Sequence, residues 1–309
     1  MCLARIRRGL IRLLALVVLA LLAADVFLPR AGWLPGLSTT PPAPPRAPPP
    51  PLPPPPADAD DRALIIARFK EDSSWVDTYF NDVRHVVIRP ALPGASYTLQ
   101  NNGNEAGPFL HYIIEHYDAL PAHLAFIHGH RISHHTYQLD IVPVVKAIRW
   151  GALPYLPLNV HMYQRVDAAK PEYADIVRVW PALFSELAPR APEAMQSWCC
   201  AQFAVTRAAV RARPRAFYVK LFEWVSGYNK ELGSASAFIS SRVLEQTWHM
   251  IFGMPPVADF LHACEVLDCE VLDAATAQVE AWEGSPFDRI PCTQDWYNRA
   301  ALESNWTDR

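Results

Sequence analysis

"RALIIARFKEDSSWVDTYFNDVRHVVIR", residues 62–89, carries two short apolar runs separated by a charged and polar stretch. "ALIIARF", 63–69, is uninterrupted and of strand length, and "HVVIR", 85–89, is a second run of the same kind. A strand with one wet face alternates apolar and polar residues, so a continuous run marks a strand covered on both faces. Between the runs, "KED" is followed by Ser73 and Ser74, which predict the cap of a helix beginning near Trp75. Strand, helix, strand within 28 residues is the rhythm of a βαβ unit, and hence of a parallel sheet.

The pattern continues toward the C-terminus. The polar loop "QNNGNEAG", 100–107, leads into "PFLHYIIEHYDAL", where Phe109, Leu110, Ile113, Ile114 and Tyr117 follow helical spacing. Pro108 fits only a first turn, so this helix starts near Gly107. "HLAFIHG" then reads as a short apolar strand. Directly after it comes the histidine cluster of "FIHGHRISHH", 126–135, at a strand's carboxyl end, where open α/β sheets hold their ligands. Asp140 predicts an N-cap for a helix ending near Trp150. Residues 151–200, rich in Pro, Tyr and Trp, read as loops with short elements. "AQFAVT", 201–206, is a strand, helices follow at 207–213 and 215–226, and Ser240 or Ser241 caps "SRVLEQTWHMIF", stopped at Gly253.

Toward the N-terminus the chain is a different material. Arg5, Arg7, Arg8 and Arg12 precede the apolar run 13–28, broken only by Asp25. This predicts a membrane signal-anchor within residues 1–30; a signal peptide cleaved near "LLAAD" is the alternative, giving a secreted protein. The basic flank stays cytoplasmic, which sends the remainder into the lumen of the endoplasmic reticulum or Golgi as a single-pass, type II membrane protein. Twelve of the sixteen residues 41–56 are proline, so 31–60 is read as a disordered, proline-rich stalk, its proline tract a stiff rod at roughly 3 Å per residue, about 50 Å long. Residues 61–309 form the globular α/β domain. "NWT" at Asn305 is a glycosylation sequon. Beyond Cys2 the cysteines are Cys199, Cys200, Cys264, Cys269 and Cys292, enough for one or two disulfides whose connectivity stays open. A net charge of −3 provides no basic field, which argues against nucleic-acid partners.

Five stretches, "ALIIARFKEDSSWV", "GNEAGPFLHYIIEHYDALP", "FIHGHRISHH", "AQFAVTRAAVRARPRAFYVKLFEWV" and "LEQTWHMIFG", taken in this order, resemble the eukaryotic family known as domain of unknown function 3431. The family usually has a tryptophan where His134 stands here, so His135 is the matching member of the cluster. The layout is similar to that of GT-A glycosyltransferases, whose N-terminal βαβ half binds a nucleotide-sugar and whose Asp-x-Asp motif ends a later strand; His128-x-His130 takes that place here. The resemblance implies a single GT-A-like (Rossmann-like) domain with a mostly parallel sheet flanked by helices. It also implies a nucleotide-sugar donor and a glycan or protein acceptor.

Several residues are candidates for chemistry. His128 and His130, two apart on extended backbone, point the same way, with His135 returning across a turn. They organise the turn, bind a phosphate-bearing ligand, or hold a metal such as Mn or Zn; the last use makes a metal-dependent hydrolase the rival enzyme. Arg68 and Arg131 present guanidinium forks suited to a diphosphate. Gly103 permits close backbone approach. Glu105, at a helix N-terminus, accepts from sugar or ribose hydroxyls or complements the helix dipole. Glu71 and Asp72 are further donor-pocket or helix-start residues. Glu245 and His249, four apart on one predicted helix, form a candidate catalytic pair, with Glu245 as general base. A stalked lumenal binding protein without catalysis is the third reading.

Overall fold

The computed structural model describes residues 58, 60–89, 103–132, 140–159, 165–198, 200–227, 237–258 and 266–283. The anchor, the proline tract, His134, His135 and Asn305 lie outside the described residues. Among the described residues no helix is long and apolar enough to cross a membrane.

The opening stretch folds as read: β1 (Arg62–Ala67), α1 (Ser74–Tyr79) and β2 (Arg84–Ile88), with β1 parallel to β2. α2 (Ala106–His116) then crosses to β3 (His123–His128), which pairs parallel with the other edge of β1. The chain continues through α3 (Ile141–Lys146), β4 (Tyr155–Pro157), β5 (Val166–Asp167), α4 (Pro171–Leu183) and β6 (Ala194–Met195). It then forms β7 (Phe203–Thr206), α5 (Arg207–Arg211), α6 (Arg215–Ser226), α7 (Ala237–Glu245), α8 (Trp248–Ile251) and α9 (Cys269–Glu283). The main sheet has the order β2-β1-β3-β7-β4, and β5 and β6 form a small antiparallel pair. β7 is antiparallel to both neighbours, so the sheet is mostly parallel with one reversed strand.

Alternation along the strands sends side chains into two cores. Ala63, Ile65, Leu124, Phe126, Phe203 and Val205 pack with α2, α4, α6, α7 and α8. Leu64, Ile66, Ala125, Ile127 and Ala204 pack with α1, α3 and α9 on the other face. Helices on both faces explain why 63–66 is uniformly apolar: all four residues are fully buried. Burial contributes about 1.5–3 kcal/mol for each large aliphatic side chain, and β3 adds the equally buried Leu124, Phe126 and Ile127.

Two helices depart from their expected bounds, and a third from its expected cap. Ser73 makes no side-chain cap bond to α1; Asp72 does that work, accepting from Ser74 N at 2.9 Å and Ser74 Oγ at 2.9 Å. Asp140 caps α3 as expected, accepting from Val142 N at 2.9 Å, but the helix stops at Lys146 because the backbone beyond it is recruited by residues 266–268. The predicted helix 241–252 begins earlier, at Ala237, and breaks after Glu245, where Thr247 Oγ1 donates back to Val243 O at 2.8 Å. The region 151–200 also contains α4, thirteen residues long, with Ile176, Val179, Trp180 and Leu183 buried on one face.

The chain enters the domain at the amino end of β1. There Asp61 accepts from Arg84 Nη2 at 2.9 Å, from Ala122 N at 2.8 Å and from Arg207 Nη1 at 3.4 Å, and Asp58 lies 3.5 Å from His123 Nε2. The exposed ion pairs add little energy, but the contacts together fix where the chain enters.

Candidate functional site

β1 leads outward to β2 through α1 on one face, and β2 leads back past β1 to β3 through α2 on the other. The winding therefore reverses between β1 and β3, and the carboxyl ends of these two strands are the topological switch point of the sheet. β1 ends at Ala67, which pairs with His128. The histidine cluster thus falls where a doubly wound sheet binds ligands.

The turn His128–Gly129–His130 is tightly held. A Cβ on Gly129 would stand 3.0 Å from Arg68 Cα and 3.2 Å from Ala67 O, so any larger residue would press the ends of β1 and β3 slightly apart. Trp75 Nε1 donates to Gly129 O at 2.9 Å from the α1 side. His128 N donates to Gln202 Oε1 at 3.0 Å, and Gln202 Nε2 donates to Asn159 Oδ1 at 2.8 Å. The two imidazole rings stand edge to face with centroids 5.2 Å apart, and His130 Nδ1 lies 3.8 Å from Glu71 Oε1. Replacing Trp75 by phenylalanine removes the donor and part of the buried ring, so a loss of about 2–3 kcal/mol is expected in urea unfolding, the Gly129 carbonyl being left without its partner.

Glu71 and Arg68 shape the loop after β1. Burial alone would raise the Glu71 pKa, but Glu71's own backbone hydrogen bonding, donation from Phe69 N and Lys70 N, and the nearby His130 outweigh it, and the carboxylate titrates below its ordinary range. Arg68 Nε donates to Glu71 O. Asp72 is exposed and also lowered, chiefly by the Ser74 backbone and hydroxyl.

A carboxylate pair stands at the same pole. Phe109 of α2 packs on Phe126 of β3 with ring centroids 5.0 Å apart, and α2 runs opposite to β3. Glu105, one turn before Phe109, and His128, two residues after Phe126, therefore lie toward the same end. The N-terminus of α2 is seated on α7 by Asn104 Nδ2, which donates to Ser241 Oγ at 3.1 Å. Glu245 is one turn beyond Ser241. Glu105 is the N-cap residue of α2 but makes no cap bond. A helix dipole would lower its pKa; burial, and then the charge of Glu245, push it up to about 8.

Other expected residues are placed differently. The Arg131 guanidinium is held by Asp140, with Nε at 2.7 Å from Oδ2, and its carbon lies 4.7 Å from the centre of the Tyr79 ring. Its guanidinium is thus engaged by Asp140 and the Tyr79 ring. Gly103, at φ +71°, makes its close approach to Val225 and Ser240, which is protein packing. His249 is buried, with Nε2 on Pro256 O at 3.1 Å, and burial lowers its pKa to about 4 although the Pro256 contact opposes this. The break after Glu245 separates it from that residue's helix, so the expected catalytic pair is not formed on one helical face. Among the described residues no three His, Cys, Asp or Glu side chains are placed to hold a metal ion. The metal reading would need His135. Sequence reasoning missed Trp75, Gln202 and Asn159; a buried-type strand beginning with a glutamine was the available signal for one of them.

A small pocket, with room for about one water molecule, lies at the opposite end of the sheet, lined by His123, Arg149, Trp150, Leu156 and Thr206 among others. It contains no carboxylate, whereas the switch-point pole brings together histidines and acids.

Fold and site define a doubly wound α/β protein with a polar constellation at its switch point. The chain belongs to the family described as Protein of unknown function (DUF3431), whose model matches residues 64–265. No curated protein and no solved structure matches it.

Proposed function

We propose that the chain is a membrane-tethered glycosyltransferase of the secretory pathway, with a GT-A-like domain that moves a sugar from a nucleotide-sugar to a hydroxyl of a glycan or protein. The observation that carries this reading is the placement of His128 and His130 at the β1/β3 switch point, with the Glu105–Glu245 pair at the same pole. His128 and His130 meet the donor diphosphate, and Arg68 and Glu71 form the adjoining loop. Glu245 takes the acceptor proton as the acceptor oxygen bonds to the anomeric carbon, and the bond from that carbon to the diphosphate breaks. Glu105, protonated at neutral pH, leaves Glu245 to carry the charge. Disulfides at both Cys200 and Cys269 fit an oxidising lumen.

The described residues do not supply a metal's ligand set, so no step is drawn through a metal. The test is a binding panel of nucleotide-sugars against the purified protein, with and without Mn, followed by titration calorimetry. Binding to at least one donor is expected, weakened about ten-fold or more by replacing His128 and His130 with alanine. Glu245→Gln should lower turnover by about 10²–10⁴-fold with donor affinity retained. No binding to any donor overturns the reading. Unchanged cellular function in the triple alanine variant of His128, His130 and Glu245 would favour a binding protein without catalysis.

A further inference from the structure

The β3–β7 ladder ends early, and its ending singles out one side chain. The antiparallel register runs from His123 opposite Thr206 to Phe126 opposite Phe203, so continuing it would place Ala201 opposite His128. Instead Ala201 and Cys200 both have left-handed backbone, at φ 46° and φ 72°, a region that non-glycine residues seldom occupy. The backbone turns away just where His128 would need its partner, and the Gln202 side chain supplies the acceptor.

That acceptor is fixed on every side. Gln202 is 2% exposed and Asn159 is fully buried. The Gln202 amide nitrogen donates to Asn159 Oδ1, and its backbone oxygen accepts from Leu158 N at 2.8 Å, which ties Gln202 to the end of β4. An ordinary backbone ladder would satisfy His128 N without burying two amides or bending Cys200 and Ala201 into the left-handed region. What the arrangement adds is geometry: β3 is parted from β7 by the length of a side chain at the residue where the histidine turn begins. On its other flank the same turn is pressed against Arg68 at Gly129 and pinned by Trp75.

We propose that Gln202, braced by Asn159, is a positioning residue for the His128–Gly129–His130 turn, setting both imidazoles at the mouth of the switch point. The role rests on the reading of these histidines as the ligand-facing pair. Gln202 touches no ligand in this account; it acts through the backbone of His128.

The test uses the full-length protein and two independent readouts. The first is the carbethoxylation rate of each histidine, resolved by mass spectrometry. Gln202→Met keeps the side-chain length and removes the acceptor; it should raise the His128 rate by about ten-fold and alter that of His130, leaving His85 and His116 unchanged. Gln202→Glu keeps an acceptor and should return the His128 rate to near that of the native protein. If Gln202→Met does not fold, Asn159→Ala removes the brace while leaving Gln202 in place, and should move the same two histidines in the same direction. The second readout is affinity for inorganic pyrophosphate, expected to fall about ten-fold in Gln202→Met. A lowered melting temperature with unchanged His128 and His130 rates overturns the positioning role. A native protein that binds no pyrophosphate overturns the diphosphate-site reading, and the carbethoxylation rates then decide the role of Gln202 alone.

Discussion

Gly103→Ala is expected to lower the stability of the domain by about 3 kcal/mol, combining a left-handed backbone penalty with overpacking. The residue sits at φ +71°, and an added Cβ would stand 2.0 Å from Val225 Cγ1 and 3.3 Å from Val225 Cβ. Val225 is 3% exposed and belongs to α6, which packs along α2, so it has little room to yield. Relief requires the N-terminus of α2 to withdraw, and that pulls Asn104 from Ser241 and Glu105 from Glu245. Urea unfolding measures the first effect as a lower midpoint with an unchanged slope. A loss below about 1 kcal/mol would show that the α2–α6 contact is soft and that Gly103 is not needed there for packing.

Glu105→Gln is expected to stabilise the protein at alkaline pH. The Glu105 carboxyl has a folded pKa of about 8 against an ordinary value of 4.5, so the native state holds this proton more tightly than the unfolded chain does. The stability linked to it is complete below pH 4.5, declines as pH rises, and is fully lost above about 8. Each pH unit in that window corresponds to about 1.4 kcal/mol at most. Since Glu105 keeps some contact with solvent, a gain of about 2 kcal/mol for the glutamine variant at pH 8 is the expected size, shrinking to nothing near pH 4. Melting temperatures of both proteins from pH 4 to 9 test this. Parallel curves would mean that Glu105 is not held apart from its ordinary titration. In the proposed reaction glutamine also keeps the neutral state, so donor affinity in Glu105→Gln should stay within about three-fold of the native protein.

The sheet's parallel half was legible because strands buried on both faces write a continuous apolar run into the sequence, as 63–66 and 124–127 do. The direction of β7 was not, since "AQFAVT" looks the same whichever way the chain arrives. α4 escaped notice although Ile176, Val179, Trp180 and Leu183 repeat at helical spacing; Pro171 and Pro181 made the stretch look like loop. The lengths of α3 and α7 were set by partners far along the chain or by one threonine's hydrogen bond, neither of which leaves a periodic trace.

At the site, the histidine position could be read from where a strand ends. What each charged group does could not. Arg131 looked free for a phosphate, but Asp140, nine residues on, was near enough to claim it. Glu105 and Glu245 each looked like single acids, and it took α2 docking on α7 to bring them under each other's charge. His249 looked like the partner of Glu245 until the helix between them broke.

The contacts of Asp58 and Asp61 at the amino end of β1 have a spatial consequence. Asp58 and Asp61 are held at the amino end of β1, while His128 stands at the carboxyl end of its neighbour β3. A disturbance at this entry, such as loss of the Asp61 contacts, would therefore have to travel the full length of the buried strand pair to reach the histidine turn.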